Sequence, residues 1–268
     1  MTPKEIINFV KSLDTKQYSR KNNLSQLFIE DQDANYDAAN EWATSSLAGG
    51  EAYPPDYDDL ARLHAIVTER KIINVLELGS GKSTLVFADA LRQNHSKYSK
   101  QLSGIRRANP FKLISIESEN KYQKDVQTEC EKRGLSNFAE ICFIEAIQTT
   151  FSEQICGQYK KIPPCCPDLI YVDGPMPMSY QNGSSQYMDM RHNEVTNITS
   201  DVLRIEPTLL PGTIIIIDGM TNNSRFIRRN LKRSWEYFED TSADYTIMIL
   251  DEAPLGLLHK RQLNFQNS

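Results

Sequence analysis

From residue 72 onward, short unbroken apolar runs alternate with longer stretches of helical periodicity. The runs at 72–78, 112–116, 141–144, 169–172 and 213–217 are rich in Ile, Val and Leu and are bounded by turn or charged residues. Strands read in this unalternating way when helices cover both faces of a parallel sheet. Between the runs, 83–93, 121–133, 193–206 and 224–235 carry helical spacing, so the pattern predicts a doubly wound sheet. Residues 235–239 and 245–250 are separated only by a short polar turn and are predicted to pair antiparallel. The expected class is α/β: a doubly wound, seven-stranded, mostly parallel sheet with an antiparallel last strand.

Upstream the pattern is different. Thr2 can cap a helix, Pro3 fits its first position and Glu5 can return the capping bond. Residues 1–50 read as polar helical pieces that end at Gly49-Gly50. After Tyr53-Pro54-Pro55, a helix is predicted over 56–70, with Leu60, Leu63, Ile66 and Val67 on one face. The expected organisation is therefore an N-terminal helical segment, 1–55, covering an acceptor site or mediating dimerisation, and a main domain, 56–268.

Composition narrows the function classes. The chain has 268 residues, 40% hydrophobic and 24% charged, enough to bury a sizeable core. A net charge of −5 argues against a nucleic-acid binder, which needs a basic excess to neutralise phosphates. The acidic surplus lies in residues 1–70, with 7 basic and 12 acidic side chains, while the remainder holds 23 of each. No apolar run is long enough to cross a bilayer, and MTPKEIINFVKSL has no signal-peptide core. Cysteines 130, 142, 156, 165 and 166 form neither a CxxC pair nor a disulfide-dense pattern. The expectation is a reduced, cytoplasmic protein without structural zinc, nucleic-acid partner or membrane contact.

The segment Val75-Leu76-Glu77-Leu78-Gly79-Ser80-Gly81-Lys82-Ser83-Thr84 runs from a strand through a glycine turn into a helix. Such a turn brings backbone N–H groups close to a ligand. Its tail imitates a phosphate-binding P-loop, but the pattern GxxxxGK[ST] would require glycine at position 76, which is Leu76. Glu117 closes the second strand, where dinucleotide-binding folds place an acid for ribose hydroxyls. The interval from Glu77 is stretched by an insertion at 92–110, expected at the far end of the sheet. Asp173 ends the fourth strand, and Leu210-Pro211-Gly212-Thr213 leads into a fifth that ends at Asp218.

In this order the motifs resemble those of class I S-adenosylmethionine-dependent methyltransferases, over about residues 56–250. That resemblance implies a small-molecule acceptor, here an oxygen of a sugar or related metabolite. It implies that Glu77, Gly79, Ser80, Gly81, Ser83 and Thr84 shape the cofactor turn. Glu117 and Ser118 would meet ribose, Glu145 and Ala146 adenine, and Asp173 the cofactor or the acceptor. Ser83 and Thr213 stand where this family often has glycine. A nicotinamide-dependent Rossmann oxidoreductase is the structural alternative, but it calls for a third glycine that this turn lacks. A non-catalytic nucleotide-binding protein on the same fold is the other alternative.

The acceptor chemistry falls to residues at the ends of strands four and five. Asp173, Asp218 and His192 are the candidate proton acceptors, the last because its ordinary pKa lies near neutrality. Asp173 and Asp218 are also the candidate ligands of a divalent metal, although Gly219 leaves a familiar third ligand missing. Tyr180 and Arg191, in the long loop 174–193 that also holds Tyr187, and Asn222 and Arg225 after strand five are the candidate substrate contacts. Met176, Met178, Met188 and Met190 of that loop are candidates for an adaptable pocket or for packing.

Overall fold

The computed structural model describes residues 1–28, 56–181, 188–192 and 194–268. Two short helices, α1 (Pro3–Ser12) and α2 (Thr15–Lys21), and a 3-10 turn (Leu24–Phe28) precede α3 (Tyr57–Glu69). There follow β1 (Asn74–Leu78), α4 (Lys82–Tyr98), β2 (Lys112–Glu117), α5 (Asn120–Lys132) and β3 (Ala139–Phe143). After the hairpin β4 (Ala146–Phe151) and β5 (Gln154–Tyr159) come β6 (Leu169–Val172), α6 (Asp201–Ile205), β7 (Ile214–Asp218) and α7 (Thr221–Asn230). The described chain ends in β8 (Trp235–Asp240), β9 (Tyr245–Leu250) and α8 (Gly256–Asn267).

The main sheet has the order β3-β2-β1-β6-β7-β9-β8. All neighbours are parallel except at β9, which lies antiparallel to both β7 and β8. This is the Rossmann-like methyltransferase arrangement, with the reversed strand inserted next to the edge. Because strand side chains alternate between faces, Val75, Leu113, Leu169, Tyr171, Ile214 and Ile216 enter one core with α1, α3 and α4. Leu76, Leu78, Ile170, Val172, Ile215 and Ile217 enter the other with the β4–β5 hairpin, α6 and α7. Burial on both faces is why these strands read as continuous apolar runs.

Helix α1 starts as its sequence dictates: Thr2 accepts the Glu5 N–H, and Glu5 accepts the Thr2 N–H at 2.6 Å. Ile6, Val10 and Phe28 join the core on the α3–α4 face, so α1 and the 24–28 turn pack as part of that layer. Residues 29–55, the rest of the expected N-terminal segment, lie outside the described residues.

Four differences from the sequence expectation have physical causes. The hairpin was not anticipated because its two-residue turn uses Ser152 and Glu153 at φ 47° and 66°, without the Asn-Gly or Asp-Gly pair that marks such turns. The helix expected over 193–206 is confined to Asp201–Ile205, because the preceding backbone bonds to β5: Gly157 donates to Ile198 and Ser200 donates to Gly157. The helix expected over 224–235 instead spans Thr221–Asn230. It ends where the buried carboxylate of Glu206 accepts the Lys232 and Arg233 N–H groups and the indole N–H of Trp235. Helix α8 escaped notice because its buried face is His259, Gln262, Phe265 and Gln266, which is not an apolar stripe.

Candidate active site

The glycine turn is built from below by Glu77. Its position on the α4 face of β1 is opposite Ser115 on β2, and it is fully buried. The Ser83 hydroxyl donates to one carboxylate oxygen, and those of Thr84 and Ser115 donate to the other, each at 2.6 Å. Burial pushes Glu77 up to about 7 against the pull of these three hydroxyls. Glu77, Ser83 and Thr84 therefore form the foundation of the turn. Both Glu77 oxygens are engaged inside the protein, so Glu77 acts on a ligand by holding the loop.

Gly79 and Gly81 do different work. Gly79 has φ +97°, and a Cβ there would lie 2.9 Å from the carbonyl carbon and oxygen of Asp173 and from the Gly174 nitrogen. The tip of β6 thus packs directly on the turn, backbone to backbone. Gly81 has nothing within 4 Å of a Cβ position. Bare backbone at the start of α4 faces open space there, and its N–H donates to Thr84 Oγ1 at 3.0 Å.

Glu117, at the end of β2, closes the other side of the turn. It accepts from Ser80 N–H at 3.0 Å and from the Ser118 and Glu119 N–H groups at 2.7 and 2.9 Å. The Ser80 hydroxyl adds a bond of 3.1 Å, and this is the partner that can rotate away to admit a ligand hydroxyl. The Ser118 hydroxyl meets that of Ser179 at 2.8 Å, tying the loop after β6 across the end of β2. Glu145 is paired with Lys160 across the open end of the hairpin, and Ala146 is fully buried at the first position of β4.

At the ends of β6 and β7 stand Asp173 and Asp218, and a third carboxylate approaches them from α3. Asp59 lies in the first turn of α3 and pairs with Arg62, whose guanidinium sits 4.1 Å from the centre of the Tyr245 ring. Asp173 is open to solvent at the crevice floor yet closely surrounded by protein. The protein crowded around it, with the charges of Glu77, Glu117 and Asp59 nearby, pushes its carboxyl upward. Asp218 is pushed up to about 8, by burial first and then by Asp59 and Asp173, and the Tyr171 hydroxyl that donates to it at 3.1 Å opposes the rise. Burial holds Asp59 at about 6 despite Arg62.

Asp59 is the site residue the sequence reading missed. Its only signal there was an acidic first turn, Asp56, Asp58 and Asp59, which reads as an ordinary response to the helix dipole. Asp56 does cap the helix, accepting from Asp58 N–H at 2.9 Å. Among the described residues no group of three or more His, Cys, Asp or Glu side chains is placed to hold a metal ion.

The remaining candidates are more dispersed. His192 is exposed, and its Nδ1 accepts the Glu194 N–H at 3.3 Å. Arg191 is exposed and forks onto Asp189. Tyr180 is buried against Gly157 and donates to Asn197 at 2.7 Å. Asn222 is exposed in the first turn of α7, and Arg225 is drawn to Glu239 at 2.6 Å. Met190 is buried, whereas Met176 and Met178 are exposed, at 61% and 64%, in the segment that follows Asp173. Tyr187 lies outside the described residues.

No family model matches the sequence, and no curated protein matches it. Among solved structures, the chain is similar to the O-methyltransferase TomG from Streptomyces achromogenes, in complex with SAM, at 13% identity and a TM-score of 0.42, covering 80% of this chain and 88% of that one. It is similar to an O-methyltransferase from Bacillus cereus, in complex with SAH, at 13% identity and a TM-score of 0.44, covering 85% and 90%. A SAM-dependent O-methyltransferase from Thermotoga maritima matches at 12% identity and a TM-score of 0.42, covering 81% and 72%. No described helix is long and apolar enough to cross a membrane.

Proposed function

We propose that the protein is an S-adenosylmethionine-dependent methyltransferase that methylates a hydroxyl of a small acceptor, a sugar or related metabolite. The observation that carries this reading is the backbone contact of Gly79 with Asp173. It puts an open glycine turn, the Glu117 carboxylate and an acidic cluster at one end of the sheet, where open α/β sheets bind ligands.

The residues present fit the cofactor. Bare backbone at Gly81, at the start of α4, suits a carboxylate. Glu117 suits ribose hydroxyls once the Ser80 hydroxyl turns aside. Asp173, with the field of Asp59 and Asp218 behind it, suits a cationic amino group and sulfonium. Phe143, 47% exposed at the end of β3, and the exposed Met176 and Met178 supply apolar surface at the same end of the sheet. When bound, S-adenosylmethionine supplies an electrophilic methyl group on a positive sulfur.

The chain's own part is to position the acceptor and take its proton. Asp218 accepts the proton that the acceptor hydroxyl loses as its oxygen takes the methyl group. A carboxylate raised to about 8 is a stronger base than an ordinary one and is ionised in mildly alkaline solution. The two neighbouring carboxylates accept hydrogen bonds from adjacent hydroxyls, the pattern a polyol presents. We assign residues 1–55 to covering this end, because the 24–28 turn packs beside α4 and Lys82 Nζ lies 5.8 Å from the Phe28 ring centre.

Calorimetry on the full chain with S-adenosylmethionine, S-adenosylhomocysteine and NADH tests the reading. Saturable binding of the first two is expected. Binding of NADH alone, or of none, overturns it. Transfer of labelled methyl groups into a panel of sugars and phenols then tests the acceptor class.

A further inference from the structure

The two elements left without a role by the methyl-transfer reading, the insertion at 92–110 and helix α8, meet at the opposite end of the sheet. There they enclose a cavity of about 630 Å³ lined by Arg106, Arg107, Cys166, Leu210, His259 and Gln262, with Leu255, Leu257 and Leu258 at its α8 side. The insertion lies close against α8 at Gly104, where a Cβ would stand 3.3 Å from the Arg261 guanidinium. From this geometry we infer a second ligand site, for an amphiphilic anion: a carboxylate or phosphate head on an apolar chain.

Three observations converge on that chemistry. The side chain of Arg107 is 7% exposed; one guanidinium nitrogen holds Asp168 at 2.8 Å, while its Nε is buried with no hydrogen-bond partner. A buried donor left unpaired is costly, and Arg107 lines the cavity wall, so an anion seated there would lie against its guanidinium. Second, the cavity receives the N-terminus of the twelve-residue α8, which has no side-chain cap and no acidic residue in its first turn. His259 Nδ1 takes the Leu255 N–H and the Pro254 carbonyl takes that of Gly256. The Leu257 and Leu258 amides have no intrahelical acceptor, and they add to the positive end of the helix dipole. Third, the wall beside these donors is apolar and open: Leu255, Leu257 and Leu258 are 57%, 65% and 45% exposed.

The charge balance agrees. Asp168 is a buried carboxylate at this end, and it is engaged by the Ile73 and Asn74 N–H groups, Arg107 and Gln262. Arg70 stands close to the same carboxylate, and its Nε also lacks a partner. Arg70, Arg106 and Arg107 thus gather at the same end as this buried carboxylate. The cavity is of the size that holds small ligands, and head and tail have separate surfaces within it.

The test uses the full chain with decanoate and decyl phosphate as probes, decanol as the tail alone and inorganic phosphate as the head alone, by calorimetry and thermal shift. Either decyl anion is expected to bind at least tenfold more tightly than decanol or phosphate, and the tighter one names the head group. Leu257→Glu and Arg106→Glu, both at exposed positions, are expected to weaken that binding at least tenfold without changing Tm in the absence of probe. Binding unchanged in both variants, decanol equal to decanoate, or no saturable binding overturns the inference. So does sedimentation showing that Leu257→Glu disperses a dimer, since a second copy would then cover the leucines.

Discussion

The phenol of Tyr171 donates a hydrogen bond of 3.1 Å to Oδ2 of Asp218, across the parallel pair β6 and β7. Both side chains project from the α3–α4 face, and the bond gives Asp218, a group that burial pushes up to about 8, a direct hydroxyl donor. Tyr171→Phe removes a donor to the charged form. The alkaline rise of the pH–rate profile should therefore move upward by roughly half to one pH unit, the equivalent of one hydrogen bond of about 1 kcal/mol. The check is kcat against pH for both proteins; a shift downward would contradict Asp218 as the proton acceptor.

The two glycines of the turn should respond differently. Gly79→Ala forces a side chain into a φ of +97° and onto the Asp173 backbone, and should cost about 2–4 kcal/mol of stability as well as cofactor binding. Gly81→Ala meets open space and an extended backbone. It should leave Tm within a few degrees while weakening S-adenosylmethionine by tenfold or more. Thermal denaturation and calorimetry on the pair separate packing from ligand contact.

Stability should depend on pH through the raised carboxylates. Glu77 and Asp201 at about 7 and Asp218 at about 8 all lie above their unfolded values near 4. The folded state holds these protons more tightly, so their stabilising contribution is complete below about pH 4 and is lost as pH rises through 7 to 8. Asp89 works in the opposite sense. Burial would raise it, but hydrogen bonds from His64 and Arg92 outweigh that and hold it at about 2, so its contribution disappears as pH falls from about 4 towards 2. The ligand-free protein should have its highest Tm near pH 5. Asp218→Asn should raise Tm at pH 8.5, leave it unchanged at pH 5 and abolish methyl transfer.

The foundation under the turn is testable at Ser115. Ser115→Ala removes one of three hydroxyls from the buried carboxylate of Glu77 and should cost about 1–3 kcal/mol. The turn keeps its Ser83 and Thr84 anchors, so affinity for S-adenosylmethionine should fall by less than in Gly81→Ala. Urea denaturation and calorimetry measure the two effects separately.

Much of this site was legible in one dimension. Glu77, Gly79, Gly81, Glu117, Asp173 and Asp218 lie at strand ends, and strand ends are marked by where an apolar run stops. Roles were less legible than positions. The direction of the Glu77 side chain depends on which face of β1 carries α4, and its partner Ser115 is 38 residues away. His192, a plausible base by residue type, faces its own turn. Asp59 joins the site only because α3 lays its first turn over the ends of β6 and β7, a placement for which an acidic helix start gives no warning.

Local chemistry in the sequence determined the apolar runs, the glycine turn between β1 and α4, the cap on α1 and the reversed pairing of β8 with β9, because each depends on neighbouring residues. Tertiary structure decided what those pieces do together. It set Gly79 against Asp173, brought Asp59 to Asp218, moved Glu206 to end α7, and joined α8 to the insertion around a cavity. Those outcomes depend on packing between segments far apart in the chain, where desolvation and charge act on groups that the sequence lists separately.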